Sequence, residues 1–148
     1  LPNIIVKIPK GSLSPSQLDD VVAGITEAAR KAEGIPDTPE KRALIWVMVD
    51  ELEPGRIYAG GKQAQPAVIP VVVQIYPPEG VLDQSRREGL ASDIADVVRA
   101  SFGEDVNKLM VSCMMLDVPD ATWGINGQLW SLPHFARAAG YQHLQSIT

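Results

Sequence analysis

Val73-Gln74-Ile75-Tyr76-Pro77-Pro78-Glu79-Gly80 lies near the middle of the chain, and it restates the way the chain opens. Residues 68–76 are apolar and rich in β-branched side chains, the composition of a strand, and Pro77-Pro78-Glu79-Gly80 breaks it. Pro70 inside that run suggests an edge strand or a strand start. The opening has the same form: residues 3–8 are a β-branched apolar run, followed by the break Pro9-Lys10-Gly11.

A helix is expected after each break. Ser14-Pro15-Ser16-Gln17 is a start signal: Ser14 can cap, Pro15 suits the first helical position and Gln17 completes a capping box. Leu18, Val21, Val22, Ile25, Ala29 and Ala32 then fall on one stripe, and Gly34 with Pro36 ends it. In the second half, residues 83–100 read as a helix with Leu90, Ile94, Val97 and Val98 on one face and Gly103 as its stop. A strand follows each helix, at residues 44–49 and 109–116. Gly60-Gly61 and Trp123-Gly124-Ile125-Asn126-Gly127 read as turns, and residues from Pro133 onward as a C-terminal helix or tail.

Landmarks recur in order at a spacing of 66–69 residues: Gly11 with Gly80, Glu51 with Asp117, and Ile57 with Trp123. This predicts one α+β domain over 1–148, with repeat one at about 2–66, repeat two at about 67–130 and a tail at 131–148. Two tandem β-α-β units, each with parallel strands, give a four-stranded mixed sheet with both helices on one face, a two-layer α/β arrangement. The other sheet face is then apolar and bare, and a closed homotrimer with sheets inward is expected to cover it.

Composition narrows the function classes. Apolar residues make up 45% and charged residues 21%, an ordinary globular balance. A net charge of −5 argues against nucleic acid or anionic membrane as partner. No apolar run is long enough to span a bilayer, and residues 1–10 lack the form of a secretory signal, so a cytoplasmic protein is expected. Cys113 is the lone cysteine and reads as a buried small hydrophobe. His134 and His143 lack partners at ligand spacing and read as tail surface; no metal and no cofactor is expected. Arg86-Arg87 reads as a solvated helix face, and no dinucleotide, phosphate-loop or serine-hydrolase motif is present.

The opening Pro2-Asn3-Ile4-Ile5-Val6-Lys7-Ile8 resembles the proline-first strand of the tautomerase superfamily. The stretch 73–80 resembles the first strand and turn of 4-oxalocrotonate tautomerase, and Trp123-Gly124-Ile125-Asn126-Gly127-Gln128-Leu129 the glycine-rich turn before that family's terminal hairpin. Length and doubling are most similar to the group of cis-3-chloroacrylic acid dehalogenase and malonate semialdehyde decarboxylase. The resemblance implies a tautomerase/MIF-like fold and chemistry on an N-terminal proline, here Pro2. A free α-amino group titrates near about 8, burial lowers it, and a neutral amine near pH 7 is a general base.

Two features depart from the family. Leu1 precedes Pro2, and with Leu1 in place the Pro2 nitrogen is an amide. One expectation is a UUG- or CUG-type start codon behind Leu1, so that the natural chain starts Met-Pro and trims to Pro2; otherwise Pro2 is a strand-start proline. The family's arginine positions fall near Pro78, Val81, Ser12 and Trp46, its helical histidine near Ala29, its water-activating acid near Ile125 and its tyrosine near Met114. Pro2 is thus the one catalytic residue carried over. Trp123 and Trp46 are expected to line an apolar pocket, with core or trimer-interface packing as the alternative for both. Lys10 and Arg56 are candidate carboxylate partners, although loop cations are more often solvated. Asn126 is a candidate carbonyl-orienting residue or a left-handed turn residue.

The expected function is cofactor-independent enol–keto tautomerisation of a small 2-oxo acid, aryl or apolar, with Pro2 as base. The alternatives are a catalytically silent trimer that binds a small molecule, and a hydratase, dehalogenase or decarboxylase with a non-standard site.

Overall fold

The computed structural model describes residues 1–147; Thr148, the last residue of the expected tail, lies outside them. Strand β1 (Asn3–Pro9) leads through helix α1 (Pro15–Glu33) and a short helix α2 (Pro39–Arg42) to strand β2 (Trp46–Leu52). A small hairpin, β3 (Tyr58–Ala59) and β4 (Lys62–Gln63), turns at Gly60-Gly61. The second unit is β5 (Ile69–Tyr76), α3 (Gln84–Phe102) and β6 (Leu109–Met115). A second hairpin, β7 (Trp123–Ile125) and β8 (Gln128–Trp130), and helix α4 (Leu132–Ala139) complete it.

The four long strands form one sheet in the order β2-β1-β5-β6. Each β-α-β unit is internally parallel, β1 with β2 and β5 with β6. The units meet antiparallel at the centre, Asn3 opposite Tyr76 and Lys7 opposite Val72. The mixed sheet of two tandem repeats is the one the repeat pattern predicts.

Alternation along the two central strands decides what is buried. Ile4, Val6 and Ile8 of β1 and Ile69, Val71, Val73 and Ile75 of β5 point to the helices and are buried. They meet Val21, Ile25, Ala28, Ala29 and Ala32 of α1 and Leu90, Ile94, Val98 and Phe102 of α3. Truncating one of these, such as Ile94→Ala, removes about 2–5 kcal/mol of stability. The helices touch each other where Gly24 faces Val97: a Cβ at Gly24 would sit 2.5 Å from a Val97 methyl. Val97 therefore belongs to the helix–helix contact, one step off the stripe of α3 that covers the sheet.

The local signals act as read. Ser14 caps α1, the Ser14–Gln17 capping box is closed on both sides, and Gly34 ends the helix at φ 67°. Pro70 sits at a strand start: β5 is a central strand, but its ladder to β1 stops at Val72, so the missing N–H disrupts no β1 bond. Two expectations need correction. The second strand begins at Trp46 and not at residue 44, because Leu44 and Ile45 still bond back to Lys41 and Arg42 in the turn after α2. Arg86 and Arg87 are not a solvated face. Arg86 donates to the Ala32 carbonyl at 2.9 Å, tying the two long helices, and Arg87 pairs with Asp117 at 2.6 Å.

The opposite sheet face carries Trp46, Met48, Ile5, Val72, Met110 and Met114, with Leu116 just beyond β6, but also Asn3, Lys7, Asp50, Gln74 and Ser112, so it is mixed and not the uniformly apolar face expected. Trp46, Met48, Met110, Met114 and Leu116 are exposed. Among the described residues no helix is long and apolar enough to cross a membrane, and no group of three or more His, Cys, Asp or Glu could hold a metal ion.

Candidate active site

Pro2 is buried at the start of β1, and its carbonyl accepts from the Trp46 N–H at 3.2 Å, which joins the beginnings of β1 and β2. The β7–β8 hairpin closes over this end of the sheet. Asn126 and Gly127 form its turn with φ of 49° and 85°, both left-handed, the conformation that suits the twist of a two-residue hairpin. The register sets Trp123 opposite Trp130. Phe135 of α4 fits between them, its ring centre 5.1 Å from that of Trp123 and 5.2 Å from that of Trp130. Ser131 caps α4 in a closed capping box with His134, whose Nδ1 accepts from the Ser131 N–H at 3.1 Å.

Two adjoining cavities open at this end. One, of about 460 Å³, is lined by Leu1, Asn3, Leu44, Trp46, Trp123, Gly124, Ile125, Asn126, Trp130 and Ala138. The other, of about 350 Å³, shares Asn3, Trp123 and Gly124 and continues along Ile5, Met48, Tyr76, Val118 and Thr122. No side chain lining either one, among the described residues, is charged. The walls are aromatic and aliphatic, and the side-chain N–H groups among them are the amides of Asn3 and Asn126 and the indoles of Trp46, Trp123 and Trp130, of which that of Trp46 donates to the Ala43 carbonyl at 3.2 Å.

Behind the cavity wall lies a buried polar cluster. The Leu1 amine donates to Glu33 Oε1 at 3.2 Å and lies 3.2 Å from the Tyr141 hydroxyl. Glu33 is 1% exposed and Tyr141 is fully buried. Burial pushes the amine below its ordinary value, opposed by the attraction of Glu33. Burial pushes the Glu33 carboxyl up, opposed by the amine, Tyr141 and His143. The Tyr141 hydroxyl is pushed up by burial and by the neighbouring Glu33. His143 is half-buried, with its Nε2 2.8 Å from the Val81 carbonyl. That corrects the reading of His143 as tail surface: the chain after α4 folds back onto the end of α1. His134 is exposed.

The residues singled out from sequence divide by location. Trp46, Trp123 and Asn126 line the larger cavity, between whose lining residues Leu1 and Asn3 Pro2 stands. Asn126 is at the same time the left-handed turn residue. Lys10 and Arg56 are at the far end of the sheet, where β1 and β2 finish. Lys10 pairs there with Glu53 at 3.3 Å, and Arg56 is exposed. Cys113 is half-buried, and burial raises its thiol. Sequence reasoning missed Trp130, Phe135, Glu33 and Tyr141. The first had a signal: an Asn-Gly turn flanked at equal distance by Trp123 and Trp130 describes a hairpin with a cross-strand aromatic pair. Glu33 had none, because a glutamate beside a helix-ending glycine is ordinarily solvated.

Residues 2–65 match the family Tautomerase, described as "Tautomerase enzyme". No curated protein matches the chain. Among solved structures, a wild-type fused 4-OT described as an asymmetric trimer is 20% identical, covering 86% of this chain and 94% of that one with a TM-score of 0.71. A member of the cis-3-chloroacrylic acid dehalogenase family is 17% identical, covering 97% and 96% with a TM-score of 0.68. Macrophage migration inhibitory factor of Toxoplasma gondii is 13% identical, covering 86% and 99% with a TM-score of 0.65. At these identities the likeness is one of fold.

Proposed function

We propose that the chain is a fused double-repeat member of the tautomerase superfamily and that it interconverts the enol and keto forms of a small aryl or apolar 2-oxo acid, with Pro2 as general base. One observation carries this reading: an uncharged cavity walled by Trp46, Trp123 and Trp130 opens at the start of β1, where Pro2 stands. In a chain whose first residue is Pro2, the nitrogen is a secondary amine beside that cavity. Desolvation favours its neutral form, which can take the enol hydroxyl proton. The O–H electron pair becomes the carbonyl π bond, and the enol double bond collects the same proton at carbon. The ring of the substrate stacks against tryptophan, and the Asn3 and Asn126 amides supply donors for its oxygens.

The same proposal includes a closed homotrimer. Trp46, Met48, Met110 and Met114 are large apolar side chains exposed on this face, among Lys7, Asp50, Gln74 and Ser112, and the fused 4-OT neighbour is described as a trimer; both support cover by further copies of the chain. A second reading, a binding protein without catalysis, is favoured by Leu1 in front of Pro2 and by the lack of a cation in the cavity. The cavity also offers no carboxylate to activate water, which counts against hydration or dehalogenation through these walls.

The test is ketonisation of an aryl enolpyruvate by protein whose intact mass shows Pro2 as the first residue, alongside its Pro2→Ala variant. Activity lost in the variant supports the reading. A folded trimer with a verified free Pro2 and no activity overturns it in favour of binding.

A further inference from the structure

Glu33 is the one buried charged residue among those described, and its position has no explanation in the packing of the core. It is the last residue of α1, held inward by the left-handed Gly34 that follows. Tyr141 follows another left-handed glycine, Gly140, which ends α4. The two corners are fastened together: Gln142 N–H donates to the Gly34 carbonyl at 2.7 Å, and a Cβ on Gly34 would lie 2.7 Å from His143 Nδ1. Two segments from opposite ends of the chain thus converge to place a carboxylate and a phenol against one amine, each 3.2 Å from it. Glu33 Oε2 and His143 Nδ1 are buried without a hydrogen-bond partner. A buried carboxylate with half its acceptor capacity unused is costly to the fold unless a cation answers it.

We infer that Glu33 and Tyr141 are positioning residues for the Pro2 amine, a built-in counter-ion site that sets how readily this amine holds its proton. The inference rests on the proposed use of Pro2 as the reacting group. One residue spans at most about 3.6 Å, so the Pro2 nitrogen of a chain starting there lies within about 7 Å of the buried Glu33 carboxylate. At that range a carboxylate favours the ammonium form. Tyr141 keeps its proton, since burial beside Glu33 opposes its ionisation, and so acts as a neutral dipole. The other charged groups around the cluster are otherwise engaged or stand further out. Arg30 of α1 binds Glu27 and the Ile35 carbonyl, Lys41 of α2 binds the Ala138 carbonyl, and His143, which also acts electrostatically on Glu33, donates from Nε2 to the Val81 carbonyl. Desolvation pulls the amine towards the base form and Glu33 pulls it back. Removing Glu33 therefore lowers the pH at which Pro2 becomes neutral.

The experiment is a pH titration of the Pro2 nitrogen by ¹⁵N NMR in proline-labelled protein starting at Pro2, compared with Glu33→Gln and Tyr141→Phe. Glu33→Gln keeps the shape and removes the charge. Its Pro2 midpoint is expected to fall by about one pH unit, a tenfold change in the base-to-acid ratio, with the ascending limb of kcat/KM moving alike. Tyr141→Phe, which leaves every charge in place, is expected to shift the midpoint less, and it also serves if Glu33→Gln does not fold. An unchanged midpoint in folded Glu33→Gln, or in both variants, overturns the inference even if kcat drops. The titration needs no turnover, so a Pro2→Ala variant that retains full activity would sink the catalytic reading while the role of Glu33 was still decided.

Discussion

Gly34 and His143, far apart in sequence, are in contact at the corner where the chain's last segment meets the end of α1. A Cβ on Gly34 would come within 2.7 Å of His143 Nδ1, and Gly34 itself is left-handed at φ 67°. The Gln142 N–H bond to the Gly34 carbonyl joins the same corner, and the Leu1 amine bonds to Glu33 and Tyr141 on its two sides.

Gly34→Ala therefore meets two penalties at once, a left-handed backbone with a Cβ and a displaced imidazole. A loss of about 1–3 kcal/mol is expected in denaturant unfolding. His143→Ala in the same chain should return only the steric part, because the φ penalty stays.

Phe135→Ala removes the ring wedged between Trp123 and Trp130, a residue 3% exposed. A loss of about 3–5 kcal/mol is expected, together with a shift in tryptophan emission as both indoles lose their neighbour. A variant with wild-type stability and emission would contradict the wedge.

Glu27 has its carboxyl lowered to about 2, first by the hydrogen bond from Arg30 and also by Arg42, against some desolvation. A carboxyl depressed in the fold contributes stability above its unfolded value, and that contribution fades as pH falls towards about 2. Glu27→Gln should thus be less stable than the parent at neutral pH, with the gap closing as pH falls through about 2. The pairs are partly exposed, so the neutral-pH gap should stay below about 1 kcal/mol. Urea midpoints across pH measure it.

A charge on the bare sheet face tests the trimer. Met114 is 41% exposed within the single chain and has nothing to lose there by becoming lysine. In a trimer with sheets inward, Met114→Lys buries an unpaired cation at the interface. Light scattering is expected to show a trimeric mass for the parent and dissociation for the variant. A parent that is already monomeric would defeat the proposed assembly.

Much of the fold was legible along the chain because its determinants are local. Ser14 and Gln17 close a capping box between neighbours, Gly34 supplies a left-handed stop, and residues of β1 and β5 alternate in a period that any buried strand must keep. Repetition of that grammar after Tyr76 dictated two units, and the length of each crossover dictated that its strands run parallel. Trp46, Trp123 and Asn126 line one cavity, and Asn126 takes the left-handed turn that is one of its two readings.

The sequence by itself determined the elements and their doubling, since each follows from bonds and periodicities within a few residues. Only the tertiary structure decided what surrounds the start of β1. Lys10 and Arg56 read along the chain as loop residues beside Pro2, yet the parallel seven-residue strands β1 and β2 carry both to the opposite end of the sheet. Glu33 and Tyr141 look unrelated, yet two helix ends bring both to one amine. Burial and distance between segments remote in sequence are set by packing the whole chain, and no local pattern encodes them.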